Sequence, residues 1–110
     1  MPPRSAKNVT SRYDGTALIA AAHLGHVEVV KMLIAAKAPL NHVNNLGWTA
    51  LMEAIVLGNG GANHTAAARA LVEAGCDVNI ADKQGATPLH HARRRGYVEM
   101  ARILENAGAR

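Results

Sequence analysis

At 110 residues, with a formal net charge of +4 and 49% hydrophobic residues, the chain can bury one modest core and is too apolar to be disordered. Its single cysteine, Cys76, excludes an internal disulfide, and no stretch reaches the roughly 18 apolar residues of a membrane span. One Trp, two Tyr and no Phe exclude a core of large rings, and the abundant alanine points to closely packed helices.

The opening "MPPRSAKNVTSRYDG" carries charge but no apolar run, so it is no signal peptide; residues 1–7 read as a loose tail. From Thr16 a short Ala/Leu-rich helix runs to Gly25, which breaks it. A second helix follows over 27–36, with Val29, Val30 and Leu33 at helical spacing. A polar link, "NHVNNLGWT", projects as a turn or hairpin to Thr49, where another short helix runs to Gly58. "LGNGGANHTAAARAL" (57–71) then leads into a longer helical stretch, closed by "GCDVN" (75–79). A second link, "NIADKQGAT", precedes a helix from Thr87 to Gly96 and a last one over 98–107, carrying Met100, Ile103 and Leu104. Threonine caps helix N-termini, and Pro88 suits a first helical position. Gly75 and Gly108 supply left-handed helix ends; Lys37 stands at the same place in the first unit, where a left-handed backbone costs about 1–2 kcal/mol.

These elements are three copies of one unit. Thr16, Thr49 and Thr87 share a position, and a glycine follows each nine residues later, at Gly25, Gly58 and Gly96. Threonine spacings are 33 (16 to 49) and 38 (49 to 87), so the middle unit holds five extra residues. "TPLHHA", the recurring glycine followed by His26 or His64, "VEVVKMLI", "GCDVN" and the 33-residue period resemble the ankyrin-repeat family across residues 8–110. The resemblance implies an all-α solenoid of hairpin–helix–helix units with repeats at 8–40, 41–78 and 79–110. It also implies a concave face that binds other proteins, and structural hydrogen bonds from His26, His64 and His90. The five surplus residues are an insertion at 59–63, between the helices of the middle repeat. Lacking a lysine, "GNGGANHT" is not a phosphate loop; it reads as spare loop that can serve as a family-specific contact. Its place within "GWTALMEAIVLG" is similar to that in a bacterial ankyrin subfamily whose longer members are often exported.

The two ends of the array differ. Where the first two repeats have Ala22 and Ile55, the third has Arg93; where they have Ile34 and Val72, it has Glu105. This is the polar outer side of a terminal repeat. The first repeat shows no such change, which leaves two readings: the C-terminal part of a longer array, or an N-terminal side covered by another molecule, giving a homodimer or a hetero-complex.

No Cys/His cluster has zinc-ligand spacing, no nucleophile elbow is present, and the only serines are Ser5 and Ser11. The sequence therefore predicts no enzyme, no cofactor and no metal. It predicts a protein partner and no membrane, with a nucleic-acid or acidic-partner module using Arg93–Arg95 as the alternative, in the cytoplasm unless the chain is cut from an exported precursor. Contacts are expected from Arg12, Tyr13, Asn45, Leu46, Trp48, Lys83 and Gln84 on the fingers. The inner helices would add His23, Leu24, Val56, Leu57, Arg94 and Arg95, making an apolar strip with a basic end. Trp48 has two readings, a binding anchor or a ring packed across the neighbouring finger. The run Arg93–Arg95 also has two, a solvated helix end favoured by the helix dipole or a site for an acidic partner.

Overall fold

A computed structural model describes residues 16–110. Among the described residues six helices form three antiparallel pairs: α1 (Leu18–Leu24) with α2 (Val27–Ala35), α3 (Ala50–Val56) with α4 (Ala62–Glu73), and α5 (Pro88–Arg94) with α6 (Val98–Asn106). No strand occurs among the described residues. The short helices α1, α3 and α5 stack as an inner layer, and α2, α4 and α6 stack behind them as an outer one. Seven-residue helices are too short to be stable alone, so each owes its existence to burial against its neighbours. Leu18, Leu51 and Leu89 repeat along the inner layer, with Val30, Leu71, Met100 and Leu104 behind them, all buried. Ala22, Ala54, Ala67 and Ala92 are inaccessible to solvent, and their small side chains allow the close approach of helices that the composition predicts.

Thr49 and Thr87 cap α3 and α5, their Oγ1 atoms accepting from Met52 N and His90 N, each at 3.2 Å. Thr16 does not play this part: α1 starts at Leu18, and the residue before it, Ala17, is in helical conformation without a side-chain cap. Lys37 does adopt the left-handed backbone, with φ 69°. Side-chain amides tie successive repeats together. Asn41 Oδ1 accepts from Asp77 N at 2.8 Å, and the equivalent Asn79 Oδ1 accepts from Arg110 N at 2.9 Å.

The insertion is only partly loop. Helix α4 begins at Ala62, so Ala62 and Asn63, the last two residues of the expected 59–63 loop, are helical. Gly61, extended, ends the loop, and Asn59 Oδ1 accepts from Gly61 N at 2.8 Å to fix the turn. Helix α4 thereby gains three residues at its start over α2 and α6. The loop is also packed. A Cβ on Gly58 would lie 2.3 Å from the Ala54 carbonyl oxygen, and one on Gly60 would lie 2.4 Å from Tyr97 Cε1. Both glycines therefore serve close approach.

Candidate binding surface on the inner helices

Two fingers lie within the described residues, and each is built around one Asx side chain. Asn44 Oδ1 accepts from Leu46 N (2.9 Å) and Trp48 N (3.0 Å); Asp82 Oδ1 accepts from Gln84 N (3.0 Å) and Ala86 N (2.9 Å). The remaining polar atom of each side chain reaches its inner helix. Asn44 Nδ2 donates to Glu53 Oε2 at 2.8 Å, and Asp82 Oδ2 pairs with His91 Nε2 at 2.8 Å. Glu53 and His91 occupy the same position in their repeats and are both buried. Hydrogen bonding to the His91 ring, then to the Ala86 and Gln84 backbone, holds the Asp82 carboxyl below its ordinary range.

Each pair is extended by a third group. His23 Nδ1 contacts Glu53 Oε1 at 3.0 Å, linking the first repeat to the second. Arg95 Nη1 approaches His91 Nδ1 at 3.2 Å, and its Nη2 reaches the Val56 carbonyl at 3.5 Å. Arg95 can only donate, so these partners assign the proton of a neutral His91 to Nε2, facing Asp82. The inner surface is thus held by side chains whose polar atoms are already hydrogen-bonded to one another.

Beside this network, Leu24 and Leu57 end α1 and α3 at 56% and 43% exposure, and Leu46 stands on a finger at 59%. Arg95 holds the place of Leu24 and Leu57 in the third repeat. Leu24, Leu57 and Arg95 thus share one register position across the three repeats. Trp48 is half-buried in its finger. Lys83 is exposed but engaged: its Nζ donates to the Asn45 carbonyl at 2.9 Å, bridging the two fingers.

Other expectations change. Arg94 and Arg95, expected together at the end of the inner helix, have different surroundings, because consecutive helical residues point about 100° apart. Arg93 pairs with Glu105 on the outward end of the stack, Arg95 turns to His91, and Arg94 lies in a groove with Gln84 and His90. Of the three framework histidines, His64 makes the implied bond, from Nε2 to the His23 carbonyl at 2.9 Å. His26 and His90 are exposed, and it is His91 that carries the buried pair in its repeat. Glu53, Asn44, Asp82 and His91 escaped the sequence reading; a polar side chain recurring at the Glu53/His91 position was the only available signal. Arg12 and Tyr13 lie outside the described residues. Among those described, no group of three or more His, Cys, Asp or Glu is placed to hold a metal, and no helix is long and apolar enough to cross a membrane.

Stacked helix pairs with fingers projecting from one edge define a repeat solenoid, a scaffold whose exposed inner surface is free to vary. The chain belongs to the ankyrin-repeat family: the family model described as "Ankyrin repeats" matches three copies, over residues 3–82 and 60–110. The family is in general one of protein-interaction modules. The chain is similar to the ankyrin repeat protein YahD of Escherichia coli (strain K12), with 41% identity over 110 residues, 99% of this chain and 55% of the relative. It is similar to protein phosphatase 1 regulatory subunit 27 of Mus musculus, at 35% identity over 82 residues, 74% of this chain and 50% of that protein. A crystal structure of an ankyrin repeat domain from Acinetobacter baumannii AYE superposes with a TM-score of 0.86 at 60% identity, covering 90% of this chain and 50% of that one. The chain therefore spans about half the length of these relatives.

Proposed function

We propose that the chain is a non-catalytic module that binds a protein partner through its fingers and the concave surface of its inner helices. The observation that carries this reading is the exposed line of Leu24 and Leu57, in register with Arg95 and braced by the Asn44–Glu53–His23 and Asp82–His91–Arg95 hydrogen bonds. A surface fixed before binding loses little side-chain entropy, and a few apolar anchors can then supply most of the affinity. The regulatory role in the name of the phosphatase relative agrees with such a module. A cytoplasmic setting belongs to the same reading, supported by Cys76 as a buried free thiol.

The test is a pull-down from source-cell lysate with wild type, Trp48→Ala and Leu57→Ser, each shown to be folded by circular dichroism. A protein retained by wild type and lost with Leu57→Ser identifies the partner; Trp48→Ala costs about 2 kcal/mol or more if the ring is an anchor. Equal recovery on all three baits removes the inner surface from the function. A nucleic-acid role for Arg93–Arg95 is disfavoured by the divergence of the three side chains, which leaves no continuous track for phosphates.

A second reading, contact between two copies through the first repeat, rests on its outer helix. Val29 is 42% exposed, whereas Ala67 and Met100 at the same position of α4 and α6 are sealed by the preceding repeat, and Met32 is 68% exposed. Under this reading Met32→Glu converts a dimer to a monomer in light scattering. A wild-type monomer at high concentration overturns it.

A further inference from the structure

The outward end of the stack holds a second candidate site, separate from the inner surface. A groove of about 700 Å³ runs between the last finger and α5, lined among others by Gln84, Leu89, His90, Arg93, Arg94 and Arg110. None of its lining side chains is a carboxylate. Capping explains why this end is polar: His90 stands where Ile19 and Met52 are buried, and Arg93 where Ala22 and Ile55 are buried. A cap requires polarity of either sign and does not explain why every charged side chain along this groove is an arginine. The acid of the cap, Glu105, pairs with Arg93 and lines a different hollow, with Tyr97 and Arg102. Arg94 stands where His23 of the first repeat reaches Glu53 of the second; Arg94 itself is exposed, and no carboxylate lies within ion-pair distance of it among the described residues.

We propose that this groove binds an acidic peptide segment of a partner protein, with Arg94 as its principal cation. Guanidinium groups meet carboxylates through paired, charge-assisted hydrogen bonds, and Arg93 can share its charge between Glu105 and a bound carboxylate. Gly85 and Ala86 keep the finger side of the groove low, so an extended chain can lie along it. A polynucleotide fits less well. The groove offers a single small ring for base stacking, that of His90, and its three arginines, one already paired, fall short of the row of phosphate contacts that such binding uses.

Fluorescence anisotropy with labelled hexaglutamate tests this directly on the whole chain. Saturable binding is expected, weakened about tenfold or more by Arg94→Glu, since a favourable ion pair becomes a repulsive one. Lys31→Glu, an equal charge change on exposed α2, and Leu57→Ser, on the inner surface, are expected to leave binding unchanged. Circular dichroism establishes that each variant is folded. Absence of hexaglutamate binding, or equal weakening by Arg94→Glu and Lys31→Glu, overturns the proposal. Tighter binding of single-stranded oligothymidylate than of hexaglutamate also overturns it, in favour of nucleic acid. Because Leu57→Ser probes only the inner surface, failure of this site and failure of that surface are told apart.

Discussion

Lys37 holds a backbone conformation (φ 69°) that Gly75 and Gly108, at the same position in later repeats, reach without a Cβ. The left-handed region costs an L-residue about 1–2 kcal/mol, partly offset by the greater freedom glycine has in the unfolded chain. Lys37→Gly is therefore expected to raise stability by about 1 kcal/mol, read as a higher urea midpoint with an unchanged slope. Lys37→Ala, which keeps the Cβ, should leave the midpoint where it is. Cys76 gives a second single-residue expectation. Burial first, and the Asp77 charge second, push its thiol up to about 11, so the reactive thiolate is scarce at pH 8. Alkylation of the native protein at that pH should be slow and should become fast in denaturant; rapid native labelling would contradict the burial. The strain at Lys37 was legible in the sequence because repeat register sets it beside two glycines. The closeness of Gly60 to Tyr97 was not, because it joins residues from different repeats across a loop whose path no period dictates.

The fingers and the inner helices are coupled by one device used twice with different chemistry. Asn44 donates to Glu53, whereas Asp82 accepts from His91. Both pairs contain a carboxylate, and at Asp82 folding lowers its pKa, so stability there becomes pH-dependent. Folding depresses the Asp82 pKa through its bonds to His91, Ala86 and Gln84, so its contribution is fully present above the ordinary carboxylate value of about 4. That contribution is lost as pH falls through the lower folded value. Asp82→Asn should accordingly be less stable than wild type at neutral pH, with a gap that closes as pH drops below about 4. Denaturant titrations at neutral and acid pH measure it, and a gap constant with pH would show that the carboxylate charge contributes nothing. The helices themselves were readable from threonine, glycine and apolar spacing, since these are local signals. The polar pairs were not, because the members of each lie nine residues apart on different elements. The separate surroundings of Arg94 and Arg95 were not legible either, because adjacency in sequence hides the rotation between neighbouring helical side chains.

The stack as a whole is a row in which each repeat touches only its neighbours, and stability in such a row is shared between units and interfaces. The middle pair is the hinge of this arrangement, because α3 packs on α1, α4 and α5, and α4 on α2 and α6. Among the described residues each outer pair packs on the middle pair alone, and a pair of short helices cannot bury its apolar face alone. Unfolding of either outer pair would strip one side of the middle one, which makes partial states costly. A single transition is therefore expected, with Trp48 fluorescence, reporting the middle finger, coincident with the helical circular dichroism of all six helices. Leu51, buried at the centre of this row, tests the argument. Leu51→Ala removes packing that both interfaces share and should cost about 2–5 kcal/mol while the two probes still coincide. Separation of the probes, with helical signal persisting after the Trp48 change, would mean that an outer pair stands without the middle one and that the repeats are held together more loosely than their shared core implies.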